Sequence, residues 1–235
     1  MQENVSTYQS SLTDKTPDQN DIRKARLLLV FEFSVICILI PTIIIAFRLA
    51  RNMFFFLWGV TFFCWGILFL LHENFWEKAW RFEEVNWKNM KTILPRWALC
   101  SVGMLVFTHF YDPGRMFYII EQRPQAIPII LFAYPLLSAL PQEMIFCGYF
   151  FERFRPLFLS ERLMIIASAL VFAFAHVLYI NWVAPMLSLV AGLIFASTYS
   201  KTKSLALVSI EHGLYGISLF LIGLGWYFYG GAVHG

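Results

Sequence analysis

"MFFFLWGVTFFCWGILFLL", residues 53–71, is an unbroken apolar run with no charged side chain. Its length is about that of an α-helix crossing a ~30 Å hydrocarbon layer. In lipid the backbone must satisfy its own hydrogen bonds, so a run of this kind reads as helix. Working outward, six further apolar runs of comparable length lie at 27–47, 94–111, 126–151, 162–180, 183–199 and 204–222. The continuation "SLFLIGLGWYFYGG", 218–231, has enough glycine for either a kinked end or an eighth span. The expected fold class is therefore all-α, a polytopic membrane protein with seven or eight transmembrane helices.

Composition points the same way. The 235 residues are 59% hydrophobic, 18% aromatic and only 14% charged, with mean hydropathy +0.63, whereas soluble domains average about 45–50% apolar. The net charge of +3 comes from short basic runs between apolar segments, so the expected environment is the lipid bilayer and not nucleic acid. Cys37, Cys64, Cys100 and Cys147 each fall in an apolar run and share no metal-site spacing, so they read as buried hydrophobes.

Three segments are expected: a polar N-terminal tail at 1–26, an N-terminal transmembrane region at 27–111, and a C-terminal core at 126–230. The connection 72–93, with interleaved Trp and charged residues, suits an interfacial amphipathic helix. With a cytoplasmic N-terminus and seven spans, all but four of the 18 Lys and Arg residues fall on the cytoplasmic side, the exceptions being Arg48, Arg51, Arg115 and Arg123. This bias predicts an integral protein of the cytoplasmic membrane with its N-terminus inside.

Few ionisable residues lie within the runs away from their first turn: Glu32, His109, Glu143, His176, Glu211 and His212. A carboxylate at such depth costs about 3 kcal/mol on insertion scales, so each needs a partner or a task. Glu32 lies near the start of the first run, where a basic neighbour such as Arg26 offers a partner. His109 lies near the end of the third. At ~1.5 Å per residue, Glu143 is about 14 Å from Glu152, His212 about 13 Å from Lys203, and His176 about 21 Å from Arg162. Depths this similar allow Glu143, His176 and His212 to meet in one pocket. A carboxylate and two imidazoles can supply a general base, an oxyanion donor or metal ligands with an open position; an inert hydrogen-bond cluster between helices is the alternative.

These residues resemble a known family. "PQEMIFCG", "FAFAH" and "SIEHGLYG", in that order on successive late spans, are similar to the three motifs of the CPBP (Abi) membrane proteases, which include the type II CAAX prenyl endopeptidases. The family pattern is E-E-x-x-x-R, then F-x-x-x-H, then His with Asn four residues on. Phe172 and His176 meet the second motif in full, and the third keeps its histidine as His212. The chain departs at three places: Gln142 stands for the leading Glu, Cys147 for the Arg and Gly216 for the Asn.

The resemblance implies a membrane endopeptidase cutting a membrane-associated protein or peptide. Glu143, His176 and His212 would be its catalytic residues, supported by Gln142, Phe172, Glu211 and Gly216. In the expected mechanism Glu143 and His176 activate water, and His212 polarises the scissile carbonyl. The resemblance allows both a zinc ion held by Glu143, His176 and His212 and a metal-free mechanism. Two rivals stand beside it: an inactive scaffold of the same family binding a membrane partner, and a small proton-coupled transporter.

Overall fold

The computed structural model describes residues 18–71 and 74–228. Residues 1–17, 72–73 and 229–235, which include most of the expected polar tail, lie outside the described residues. Every regular element among the described residues is helical. Six helices are long and apolar enough to cross a membrane: α1 Gln19–Ala46, α2 Leu49–Leu71, α4 Trp87–Tyr111, α8 Glu161–Tyr179, α9 Val183–Thr202 and α10 Leu205–Ile222. The pair α6 Pro124–Ala133 and α7 Pro135–Arg153, bent by 42°, is long and apolar enough to make a seventh crossing when taken as one span. Two short helices complete the set, α3 Phe75–Trp80 and α5 Tyr118–Gln122. The protein is an integral membrane protein. Its outward apolar side chains fit that setting, since Phe55 and Leu70 on α2 and Phe110 on α4 are each more than 80% exposed.

The bend in the fourth crossing has an identifiable cause. Pro135 and Pro141 lack the N–H that the helical ladder needs. Residues 129–133, 135–139 and 144–149 accordingly wind as wider π-turns, a distortion that recurs near functional sites. Crossings α4, α8 and α10 begin at side-chain caps. Asn86, Ser160 and Ser204 accept from the backbone N–H groups of Asn89, Leu163 and Leu207.

Helix α10 is the centre of the bundle: 56% of its apolar window is buried, against 17% in α4 and 22% in α2. Small residues permit its close contacts. A Cβ added at Gly213 would sit 3.3 Å from Pro135, and one added at Gly216 would fall within 2.3 Å of the Tyr134 ring. The bend between α6 and α7 therefore lies directly against α10.

Several details differ from the sequence expectations. After Ile222 the chain does not run on as an eighth span. Gly223 takes a left-handed φ of 119°, and Leu224–Phe228 forms a 3₁₀ turn. Residues 75–80 of the connection are helical, whereas 87–93 already belong to α4, and α1 begins at Gln19. Arg153, not Arg26, is the partner of Glu32, with Arg153 Nη2 2.7 Å from its Oε2, and the Tyr149 hydroxyl donates to the same carboxylate. The four cysteines are free, and Cys37, Cys64 and Cys147 are buried.

Candidate active site

His212 joins the central helix to the bent crossing. Its Nδ1 is 2.7 Å from Glu143 Oε1, and its Nε2 is 3.1 Å from the Tyr134 hydroxyl. A carboxylate can only accept, so Nδ1 carries the proton shared with Glu143, and in the neutral imidazole Nε2 accepts from Tyr134. The result is a carboxylate, imidazole and hydroxyl in series. Phe195 stacks on the His212 ring at 4.6 Å between centroids and 21° between planes, with Phe172 edge-on at 5.8 Å. These rings leave the imidazole little freedom to turn. Glu143 is 1% exposed, and its second oxygen is buried without a hydrogen-bond partner.

His176 lies at the end of the regular part of α8, where the helix tightens into a 3₁₀ turn over His176–Tyr179. Its Nδ1 donates to the Phe172 carbonyl at 2.7 Å. The neutral ring therefore has an unprotonated Nε2, for which no hydrogen-bond partner is found among the described residues. Phe172, Tyr179 and Phe228 surround the ring. Phe172 thus walls both imidazoles, as its spacing four residues before His176 suggests.

His176, His212 and Tyr134 line one cavity of about 1000 Å³. Its walls are largely apolar, with Arg115 and Arg123 at the end formed by the 112–126 connection. Gln142 also lines it, and donates through Nε2 to the Ser138 carbonyl and hydroxyl. Glu143 reaches this space only through His212. Gly216 lies on the wall too, and its missing side chain is what makes room for Tyr134.

The remaining expected site residue, Glu211, is turned elsewhere. It is fully buried and pairs with Arg96 of α4 at 2.5 Å, and Arg96 also donates to the Thr198 hydroxyl at 2.8 Å. Adjacent helix positions point about 100° apart, which separates Glu211 from His212. Arg96, counted in sequence with a cytoplasmic connection, is thus part of a span. Among the described residues no three His, Cys, Asp or Glu side chains converge as metal ligands. The ligand set expected for zinc, Glu143 with His176 and His212, is therefore not assembled here, and both nitrogens of His212 are engaged.

Against known proteins, residues 124–218 match the family model described as type II CAAX prenyl endopeptidase Rce1-like. This segment, less than half of the chain, is similar to that family. The match bears out the resemblance read from the three motifs, and it supports a hydrolase at the level of the family. No curated protein and no solved structure matches the chain. The matched segment spans Tyr134, Gln142, Glu143, Phe172, His176, Glu211, His212 and Gly216, while Arg96 falls outside it. Sequence reasoning missed Tyr134, Phe195 and Arg96. For Arg96 a signal existed, a lone cation beside the start of an apolar run with a deep carboxylate, Glu211, needing a partner. For Tyr134 the only hint was that it precedes Pro135, where a bend was to be expected.

Proposed function

We propose that this protein is a membrane endopeptidase that hydrolyses a peptide bond of a membrane-associated protein within the apolar cavity. The observation that carries this reading is the pair of imidazoles on one cavity wall in complementary states. His176 offers a lone pair, and His212 is held by a buried carboxylate. The bond from Nδ1 of His176 to Phe172 fixes the tautomer that leaves Nε2 free to take a proton from water. Water so activated attacks the scissile carbonyl, and the protonated His176 then returns a proton to the leaving amine.

Negative charge developing on the carbonyl oxygen is met by the Tyr134 hydroxyl, whose proton turns to it from His212 Nε2, while Glu143 keeps that imidazole in place. This division of labour differs from the expectation that Glu143 itself activates water. It also offers an account of the chain's departure at Gly216: the donor expected there from an Asn side chain is supplied by Tyr134, which enters the space that glycine leaves.

One observation favours a second reading, an inactive scaffold binding a membrane partner. Gln142, at the position of the leading Glu in the family pattern, faces the cavity, and an amide cannot act as a base. Incubating the purified protein with a library of membrane-proteome peptides separates the two. A protease gives cuts that vanish in His176→Ala, whereas a scaffold gives none.

A further inference from the structure

A second concavity lies at the opposite end of the bundle, where α2, α7 and α9 stop at Leu71, Arg153 and Thr202. It is a cup of about 510 Å³ whose walls carry four cations, Lys78, Arg81, Arg155 and Lys203, against a single carboxylate, Glu152. The cations come from three connections that are far apart in sequence, so the fold gathers them. Two of the walls are built by specific contacts. Arg81 has a left-handed backbone (φ 40°), and its Nη1 donates to the Thr202 carbonyl at 2.7 Å. Its guanidinium also holds Glu83 at 3.1 Å and Glu84 at 2.9 Å. The Glu83 carboxyl is kept below its usual range by its own backbone hydrogen bond and then by Arg81. The Ser204 hydroxyl is 3.0 Å from the carbonyls of both Trp80 and Arg81. On the other side, Lys203 pairs with Glu161 at 2.9 Å and lies over the Phe151 ring at 5.4 Å.

The interior of the cup is apolar where it meets the bundle, at Phe75 and Phe151, both nearly fully buried. A soluble anion would gain nothing from such a floor. An amphiphile with a charged phosphodiester above and hydrocarbon below would match both parts. The position at the helix ends is also the level of the headgroups in a bilayer.

We propose that this cup is a binding site for the phosphodiester headgroup of an anionic lipid, taken up between the 74–86 connection and the ends of α7 and α9. Arg81 and Lys203 form its walls through their structural contacts, while Lys78 and Arg155, both exposed, close over the phosphate. The site is independent of the peptidase reading and would stand if no cleavage were found.

The test uses the full chain in detergent with equimolar phosphatidylglycerol and phosphatidylcholine of matched acyl chains, reading retained lipid by native mass spectrometry. Phosphatidylglycerol is expected to be retained preferentially. A cation near a membrane surface contributes about fivefold in binding, so Lys78→Gln with Arg155→Gln should lower that retention about thirtyfold. Lys78→Gln alone, at an exposed position that folding tolerates, should lower it about fivefold. Lys88→Gln with Lys91→Gln, which removes two charges near the start of α4 and outside the cup, should leave it unchanged. Equal retention of the two lipids, or an equal loss in the Lys88 and Lys91 variant, would overturn the proposal. Displacement of phosphatidylglycerol by an equimolar amount of inorganic phosphate would reassign the cup to a free anion and overturn the lipid assignment.

Discussion

Replacing Gly216 by Ala adds one methyl group, and the structure makes its consequence calculable. The new Cβ would lie 2.1 Å from Tyr134 Cε1, 2.2 Å from its hydroxyl and 2.3 Å from Cζ. Carbon atoms rest at about 3.5 Å or more, so the ring has to retreat by roughly 1.4 Å. The 3.1 Å bond to His212 then no longer forms. Overpacking of this kind costs about 1–3 kcal/mol, and the lost hydrogen bond about 1 more. Alanine returns up to about 1 kcal/mol through its higher helix propensity. The net loss is about 1–3 kcal/mol, which for a chain of this size lowers the unfolding midpoint by about 2–12 °C.

Gly66→Ala is the matched control, because nothing lies within 4 Å of a Cβ there. With only the propensity gain acting, that variant should be up to about 1 kcal/mol more stable than wild type. Tyr134→Ala should relieve Gly216→Ala, so the double variant should be about 1–2 kcal/mol better than the sum of the singles. Thermal unfolding in detergent, followed by tryptophan fluorescence, reads the four variants beside the wild type. Trp97 is a local reporter, since its indole N–H contacts Leu214 and Ser218 on α10. A midpoint for Gly216→Ala as high as that of Gly66→Ala, or additive behaviour with Tyr134→Ala, would refute the packing argument.

Three other outcomes are expected. Tyr134→Phe removes one oxyanion donor and should lower kcat by about 10²-fold with little change in KM, measured on any peptide the wild type cuts; an unchanged kcat excludes Tyr134 from that role. Arg96→Ala strands the fully buried Glu211 carboxylate and should cost about 3–5 kcal/mol of stability, whereas Arg96→Met combined with Glu211→Leu should come close to neutral. Both are read from unfolding midpoints, and a single Arg96 variant as stable as the double one contradicts the dependence of the buried Glu211 on Arg96. Cysteine-accessibility labelling of intact cells should leave positions 78–91 unlabelled from outside and label position 115, as the distribution of basic residues predicts; the reverse pattern overturns the orientation.

How much of this was legible in the sequence depended on whether the signal was local. Hydropathy located the six long apolar helices and the bent pair, because each is about twenty apolar residues long whatever its neighbours do. The three motifs located Glu143, His176 and His212 by residue type. Which groups touch was less accessible. On a regular helix Tyr134 and Glu143, nine residues apart, point in opposite directions, about 180° around the axis. Both reach His212 only because the 42° bend and the π-turn over 135–139 rewind the helix between them. Glu32 found Arg153 and Glu211 found Arg96 across more than one hundred residues of chain. No local pattern encodes such pairings, although the need for a partner was evident from the depth of each carboxylate. The turn at Gly223 was ambiguous in sequence because glycine serves a kinked helix as readily as a left-handed cap.

The most direct test of the central claim is cleavage, in lipid nanodiscs, of a peptide identified with the wild type, comparing that protein with His176→Ala, His212→Ala, Glu143→Gln and their double combinations. If His176 activates water while Glu143, His212 and Tyr134 serve the oxyanion as one unit, each single variant should lose nearly all activity with the fold intact. The double variants should then be no worse than the singles, since groups acting as a unit are not additive. Cleavage by His176→Ala at the wild-type rate, or its absence from the wild type itself, would contradict the account.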